Sequence, residues 1–179
     1  MSKNLAMSSS YENFQSRFVD EALDNISDLE QALMALELSP ESKELIERVF
    51  RALHSLKGGG AMFGFARLSE FTHRLENIYE MVRSGQLCAS SSLLSVTLQS
   101  VDLLRDLLDA SGEPGKELMQ RCSEMEKAID QVVREETEKM IEAAKGQCFS
   151  SADDEGAGDD EGMATYFIHF YPGPGVMKN

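Results

Sequence analysis

Apolar residues recur at spacings of three and four along this chain, and this spacing constrains the fold more than any other feature of the sequence. The first such series begins soon after Tyr11 and consists of Phe14, Phe18, Ala22, Ile26, Leu29, Leu33 and Leu36. At about 100° per residue, these positions fall within about a third of the helix circumference. The pattern therefore predicts an amphipathic α-helix that packs its apolar face against other elements.

Four more segments of the chain repeat this helical spacing. They are Leu45–Leu56, Leu68–Val82, Leu94–Leu108 and about Lys116–Ala144. Turn-forming residues separate them: Ser39 is predicted to cap the second helix with Pro40 in its first turn, and Ser84-Gly85 closes the third. A serine cluster at 90–92 is predicted to cap the fourth helix. The sequence thus predicts an all-α protein with five helices.

Three further segments lie outside these helices. Residues 1–10 are polar and are predicted to be disordered. Residues 145–164 contain six acidic residues between Asp153 and Glu161, which is typical of a flexible, solvated linker. Residues 165–179 open with TYFIHFY, a β-type run. Because one strand is not stable alone, we interpret this run as the truncated start of a following domain, or else as a partner-binding strand or tail.

The charge of the chain excludes several classes of partner. Its net charge of −14 and pI of about 4.6 argue against binding to nucleic acid or to an anionic membrane, because both require a basic face. Three cysteines, at positions 88, 122 and 148, have no metal-type spacing and are predicted to be reduced thiols of a cytoplasmic protein. The N-terminus has no secretory signal, and no apolar run approaches the ~20 residues of a membrane span.

The stretch LHSLKGGGAMFGF, residues 53–65, combines a histidine, a lysine and three consecutive glycines. On a helical wheel, His54 lies far from the apolar face of the second helix and Lys57 lies on the same side. Each glycine inside a helix costs ~1 kcal/mol relative to alanine, so a functional reason is expected. We interpret the glycines as making room for a large object that approaches an exposed imidazole. The simpler alternative is that the glycines only end the helix beside an ordinary surface histidine.

The third helix offers a partner for that imidazole. Glu76 falls at the edge of its apolar face and could accept a hydrogen bond from Nδ1–H of His54, leaving Nε2 with a free lone pair. Alternatively, Glu76 is one more solvated acid among 31 acidic residues. His73 falls further out and is predicted to be a surface residue. Two histidines without a nearby cysteine make a thin ligand set, so no metal site is expected.

The segment Phe50–Ile78, FRALHSLKGGGAMFGFARLSEFTHRLENI, resembles the N-terminal histidine phosphotransfer (HPt) domain of CheA-type chemotaxis histidine kinases. That family carries H-S-[IL]-K-G-G, then F-G-F, then T-H-x-x-E one helix later, and the spacing here matches without a gap. The resemblance covers about residues 12–140. The third glycine and Ala61 depart from relatives, which often carry other small residues there.

This resemblance implies an HPt-like fold over residues 11–144: an up-down four-helix bundle with an additional fifth C-terminal helix. It implies that His54 is the phospho-acceptor, with Nε2 the reacting atom. Lys57 would assist with the phosphoryl charge, and Glu76 would pair with the imidazole ring. The supporting positions it implies are Gly58, Gly59, Thr72 and His73, with the glycines admitting partner domains.

The resemblance also implies the partners. His54 would take a phosphoryl group from the ATP-binding domain of a kinase and donate it to an aspartate of a response regulator receiver domain. None of the ATP-binding motifs of a kinase core occurs here, so we expect a phospho-carrier that binds no cofactor itself, while its partner domains use ATP and Mg²⁺. We also expect a monomer, because the resemblance implies that full-length relatives dimerise through a later domain absent from these residues. The parent protein would be a protein-histidine kinase. The alternatives are a helical adaptor that binds a response regulator without being phosphorylated, and an HPt module of a phosphorelay outside chemotaxis.

Overall fold

A computed structural model of the protein describes residues 2–110 and 114–149, with side chains for residues 14–110 and 114–143. This part of the chain contains five helices and no strand. They are α1 (Ser2–Leu38), α2 (Lys43–Phe63), α3 (Ala66–Arg83), α4 (Ser91–Asp109) and α5 (Lys116–Phe149). The prediction of an all-α fold is therefore confirmed.

The first four helices form an up-down bundle, and the fifth helix lies outside it. Helix α2 packs between α1 and α3, α4 closes the bundle by packing on α1 and α3, and α5 packs on α4 and α3. The apolar faces predicted from the sequence meet in one core. Its largest fully buried side chains include Tyr79, Phe71, Ile26, Leu29, Leu53, Leu56, Leu75 and Leu94. Each buried side chain of this size stabilises the fold by about 1.5–3 kcal/mol, so packing rather than helix propensity holds the bundle together.

The ends of the helices follow local capping, with one difference from the prediction. Ser42, not Ser39, is the N-cap of α2: its Oγ accepts a hydrogen bond from the N–H of Leu45, and its own N–H donates to the carbonyl of Ser39. The carbonyl of Ser39 thus closes the turn that contains Pro40, which places the helix start three residues later. Ser90 caps α4 as predicted, accepting from the N–H of Leu93 at 3.2 Å.

Two helix boundaries differ from the predicted segments. Helix α1 begins at Ser2, within the segment that was predicted to be disordered, because no proline or glycine interrupts residues 2–38. Helix α5 continues to Phe149, five residues into the predicted acidic linker. The remainder of that linker and the predicted strand at 165–171 lie outside the described residues.

The predicted core is wrong at Phe14. The other six residues of its apolar series are buried, but the Phe14 side chain is 57% exposed. It lies one turn before Phe18, at the end of the bundle where α2 terminates and the Gln15 amide donates to the carbonyl of Phe63. No helix within the described ranges combines the length and the apolar character that crossing a membrane requires.

The connection between α2 and α3 determines where their side chains meet. Gly64 has a φ of 86°, which favours glycine, and it ends α2 by donating its N–H to the carbonyl of Gly60. A Cβ on Gly60 would lie 3.3 Å from both the carbonyl oxygen of Phe65 and the amide nitrogen of Ser69. The two helices therefore approach closely at this corner and run antiparallel. Side chains at the edge of α2 consequently lie next to α3.

Candidate functional site

His54 lies on the open surface of α2, as the helical wheel predicts. Its side chain is 63% exposed, whereas that of Lys57, one turn further along the same helix, is 29% exposed. Leu53 and Leu56, which lie on the apolar face of the same helix, are fully buried. The helix thus holds the imidazole out towards solvent on a rigid, well-packed element.

Glu76 of α3 connects the two α2 side chains. Its Oε1 lies 2.7 Å from Nδ1 of His54, and its Oε2 forms an ion pair with Nζ of Lys57. The Glu76 side chain is only 7% exposed, although the sequence placed it at the edge of the apolar face. The expected contact between His54 and Glu76 is present, and the Lys57–Glu76 ion pair is an addition that the sequence analysis did not identify. We call these three residues the His54 cluster.

The charge state of Glu76 decides which nitrogen of His54 carries a proton. Burial disfavours ionisation of this carboxyl, but hydrogen bonds and charges from Lys57 and His54 outweigh burial and hold its pKa below the ordinary value of 4.5. Glu76 is therefore ionised at neutral pH and can only accept hydrogen bonds. Nδ1 of His54 must then donate, so in the neutral imidazole the lone pair is on the exposed Nε2.

The lowered pKa of Glu76 predicts how stability depends on pH. Because the pKa is lower in the folded than in the unfolded state, the stabilisation is complete above about pH 4.5 and is lost as the pH falls through the folded-state value. We expect the difference in free energy of unfolding between the wild type and Glu76→Gln to shrink between pH 6 and pH 3, measured by urea unfolding. Glu70→Gln, an exposed acid on the same helix, is the control. A wild-type advantage that stays constant down to pH 3 would contradict this linkage.

An aromatic ring that the sequence analysis did not assign to the site lies against His54. The ring of Phe50, one turn earlier on α2, stacks with the imidazole at 6.1 Å between centroids and 24° between planes. The guanidinium carbon of Arg83, at the end of α3, lies 4.2 Å from the centroid of the Phe50 ring. The available signal was the spacing of four residues between Phe50 and His54, which places two side chains on one helix face.

The three consecutive glycines have different surroundings, so the absence of a side chain has a different consequence at each. A Cβ on Gly58 would meet nothing within 4 Å, so no packing inside the chain requires its absence. A Cβ on Gly59 would overlap the ring of Phe18, and Gly60 allows the close approach of α2 and α3. Packing inside the chain is therefore enough to require glycine at Gly59 and Gly60, whereas the interpretation that the glycines make room for an approaching object stays a prediction. Gly58 alone among them faces open space, one turn after His54.

Alanine at positions 58 and 59 is expected to change stability in opposite directions. Gly58→Ala should raise the free energy of unfolding by about 0.5–1 kcal/mol through helix propensity alone. Gly59→Ala should lower it by about 1–3 kcal/mol, because the added Cβ would overlap the Phe18 ring, which already packs against the rings of Phe63 and Phe65. Urea unfolding at pH 7 measures both values. Equal changes in the two variants would refute the packing difference.

The other supporting positions do not join the His54 cluster. Thr72 is fully buried and its hydroxyl donates to the carbonyl of Leu68 on its own helix at 2.6 Å, so it faces the core. His73 is exposed and takes no part in the hydrogen bonds of the cluster. Ser69, which the sequence analysis did not identify, donates from its hydroxyl to the carbonyl of Lys57 at 2.9 Å and ties α3 to α2 there. In the described part of the chain, no group of three or more His, Cys, Asp or Glu could hold a metal ion.

The His54 cluster lies on an open surface. A cavity of about 600 Å³ lies elsewhere, between the start of α2 and the end of α3, and its lining includes Ile46, Val82 and Leu87 but no member of the cluster. A small substrate is normally enclosed by its site. An exposed imidazole on a helix surface is instead accessible to another macromolecule.

Comparison with known families identifies the domain. Residues 14–113 match the sequence model described as the Hpt domain. The chain belongs to the Hpt domain family. Among curated relatives of this Hpt domain, chemotaxis protein CheA of Salmonella typhimurium is 34% identical over 144 residues, covering 77% of this chain and 21% of that protein. Chemotaxis protein CheA of Klebsiella aerogenes is 38% identical over 104 residues, covering 58% and 16%. The chain therefore spans about a fifth of the length of these relatives.

Solved structures agree with this assignment. The Hpt domain is similar to the CheA phosphotransferase domain from Thermotoga maritima, with a TM-score of 0.52, 36% identity, and coverage of 54% of this chain and 92% of that one. It also shares the fold of the phosphorylated P1 domain of CheA3 in complex with CheY6 from R. sphaeroides, with a TM-score of 0.58, 18% identity, and coverage of 66% and 97%. The CheA-type resemblance of the sequence and the predicted bundle with a fifth helix are both confirmed.

Proposed function

We propose that this Hpt domain carries a phosphoryl group in chemotaxis signalling, and that Nε2 of His54 is its acceptor and donor. One observation carries the proposal: an exposed imidazole has its Nδ1 held by a buried, ionised carboxylate at 2.7 Å. That arrangement leaves the nucleophilic lone pair on the nitrogen that faces solvent. Similarity to CheA proteins and to a CheA phosphotransferase domain supports the same activity.

The proposed function comprises two transfer steps at Nε2 of His54. In the first, the Nε2 lone pair forms a bond to the γ-phosphorus of ATP held by a kinase domain, the bond from that phosphorus to the β–γ bridging oxygen breaks, and ADP leaves. In the second, a carboxylate oxygen of a receiver aspartate bonds to the phosphorus, and the P–N bond breaks. The electron pair of that bond returns to Nε2, which restores the neutral imidazole of His54. The proton on Nδ1 stays in place throughout.

Glu76 and Lys57 support these steps in different ways. As Nε2 bonds to phosphorus, the imidazole ring gains positive charge, and the carboxylate of Glu76 beside Nδ1 stabilises that charge. Lys57 lies beside the same carboxylate and provides a cation one turn from His54, where it can interact with the phosphoryl oxygens. Both residues are held by packed helices, so the site is arranged before a partner arrives.

The surface around His54 suits a protein partner. Gly58 is open to solvent one turn after His54, and Met62, one turn further, is 74% exposed. The spacing of four residues aligns these positions along one face of α2. A partner domain that brings a phosphorus atom to Nε2 would cover this face, and the missing side chain of Gly58 lets its backbone come close. ATP and Mg²⁺ would be held by the partner domains and not by this chain.

Transfer of radiolabelled phosphate tests the proposed function. The 179-residue chain is incubated with γ-labelled ATP and a separate CheA-type kinase core, and label is expected at a site that is labile to acid and stable to base. Addition of a receiver domain with Mg²⁺ is expected to remove the label from this chain and to place it on the receiver. If neither the kinase core nor a phosphorylated receiver labels the chain while receiver binding persists, the protein is a non-phosphorylated adaptor and the proposal fails.

A further inference from the structure

Phe50 and Arg83 lie beside the His54 cluster but belong to none of the contacts described in the proposed transfer. Phe50 is half-buried on α2, and Arg83 is at the last turn of α3. The Phe50 ring connects them, because it stacks with the imidazole of His54 and has the Arg83 guanidinium over it. The three side chains form a continuous row from α3 to the phospho-accepting position.

One hydrogen bond does not fix the orientation of an exposed imidazole. The contact of Nδ1 with Glu76 fixes the position of that nitrogen, but the ring can still rock out of its own plane about Nδ1, which bends the N–H···Oε1 hydrogen bond. This rocking moves Nε2, on the far side of the ring, more than the atoms bonded to Nδ1, and it weakens the hydrogen bond that favours the Nδ1–H tautomer. The His54 side chain is 63% exposed, so few other atoms oppose this motion. A second contact on the face of the ring is required.

The Phe50 ring provides that second contact. At 6.1 Å between centroids and 24° between planes, the two rings are in the range of offset stacking. A flat ring beside the imidazole restricts its tilt while leaving Nε2 accessible to a partner. The Glu76 hydrogen bond and the Phe50 stack thus act in different directions on the same ring.

Arg83 holds the Phe50 ring from α3. Its guanidinium lies 4.2 Å from the ring centroid, within the range of a cation–π interaction. Two acidic side chains fix the guanidinium in turn: Arg83 is 2.8 Å from Oε2 of Glu80 and 3.4 Å from Oε2 of Glu47. Arg83 therefore contacts acidic side chains of both α2 and α3 while its guanidinium lies over the Phe50 ring.

We propose that Phe50 is a positioning residue that holds the His54 imidazole in its reactive orientation, and that Arg83 holds Phe50 in place. The orientation itself belongs to the unphosphorylated domain, whereas its kinetic consequence rests on the proposed function. Misalignment of reacting atoms reduces the rate of the transfer step more than it reduces binding. Loss of the Phe50 ring should therefore lower kcat by about tenfold and change KM by less than about twofold.

Two readouts test this proposal in the 179-residue chain. The first is the ¹⁵N spectrum of the His54 imidazole at pH 8, which reports the populations of its Nδ1–H and Nε2–H tautomers without any phosphorylation. The second is kcat and KM for phosphorylation by a CheA-type kinase core. We expect Phe50→Leu to shift the tautomer populations and lower kcat, and Phe50→Tyr, which keeps the ring, to retain wild-type values in both.

A matched control and a second variant separate positioning from folding. Phe63→Leu removes a partly buried ring from the same helix, one that stacks on Phe18 instead of His54, and should leave the tautomer populations unchanged. Arg83→Gln changes an exposed side chain and should lower kcat by about threefold even if Phe50→Leu does not fold. The proposal is overturned if Phe50→Leu matches Phe63→Leu in both readouts, or, where Phe50→Leu is unfolded, if Arg83→Gln has wild-type spectra and kcat.

The two readouts also distinguish this proposal from the proposed function. If the wild type accepts no phosphoryl group, the proposed function fails, and the ¹⁵N spectra still decide whether Phe50 orients the imidazole. If the wild type is phosphorylated normally and Phe50→Leu is unchanged in both readouts, only the positioning role fails.

Discussion

Replacing His54 with Gln is expected to abolish phosphorylation of the chain, lowering the initial rate of label transfer from ATP by at least about 10³-fold. The Gln side-chain nitrogen is an amide donor with no available lone pair, so it cannot form the bond to phosphorus that Nε2 forms. Because the His54 side chain is 63% exposed, the loss of its one hydrogen bond should cost only about 0.5–1.5 kcal/mol of stability. Label transfer and urea unfolding on the same preparation separate the two effects.

His73→Gln is the matched control for this variant. It is the other histidine of the resemblance motif, and it is exposed on α3 without taking part in the His54 cluster. We expect His73→Gln to accept label at a rate within about twofold of the wild type, in keeping with its place outside the cluster. Acid-labile label on His54→Gln at the wild-type level would assign the phospho-acceptor to another residue.

The sequence predicted the helices well because their apolar spacing reflects the core directly. In α3, the apolar residues at helical spacing in the predicted segment are all buried: Leu68, Phe71, Leu75, Ile78 and Val82. The predicted ends were less accurate, since they depend on weaker signals. Polar residues 2–10 read as disordered, but nothing in them stops a helix, and α1 extends through them. At α2, the carbonyl of Ser39 closes the turn, so the capping role passes to Ser42.

The candidate site was predicted in part, because some of it depends on one helix and some on the packing of two. The exposure of His54 follows from the periodicity of α2 alone. The depth of Glu76 and its ion pair with Lys57 depend on how closely α3 approaches α2, which is set at Gly60 by contacts with Phe65 and Ser69. A helical wheel drawn for one helix cannot give the distance between two helices.

The glycines show the same limit of sequence reasoning. The run of glycines predicted a surface that another molecule approaches closely. The atoms that an added side chain would contact at Gly59 and Gly60, however, belong to other segments of the chain. Phe18, more than 40 positions earlier in the chain, occupies the space beside Gly59. Only at Gly58 does no contact inside the chain account for the glycine. Phe50 was missed because its apolar character was already explained by the amphipathic face of α2.

Loss of the charge on Glu76 is expected to have the second-largest effect on transfer, after loss of His54 itself. In Glu76→Gln, the side chain keeps its shape but can present its amide N–H₂ to Nδ1 of His54. That arrangement favours the tautomer with the proton on Nε2, which has no lone pair there. It also removes the negative charge that stabilises the ring during bond formation. We expect kcat for phosphorylation to fall by about 10²-fold, with KM within about twofold of the wild type.

The tautomer of His54 tests whether Glu76 acts by orienting the imidazole. In the wild type, the ¹⁵N spectrum at pH 8 should show mainly the Nδ1–H form of His54, because an ionised Glu76 can only accept. In Glu76→Gln the Nε2–H form should increase in parallel with the loss of kcat, whereas Glu70→Gln should change neither. Removing the carboxylate also releases Lys57, so a Lys57→Met variant measures that contribution separately. If Glu76→Gln shifts the tautomer while kcat is unchanged, the orientation of the proton does not limit transfer, and attack by Nε2 is controlled by the partner domain instead.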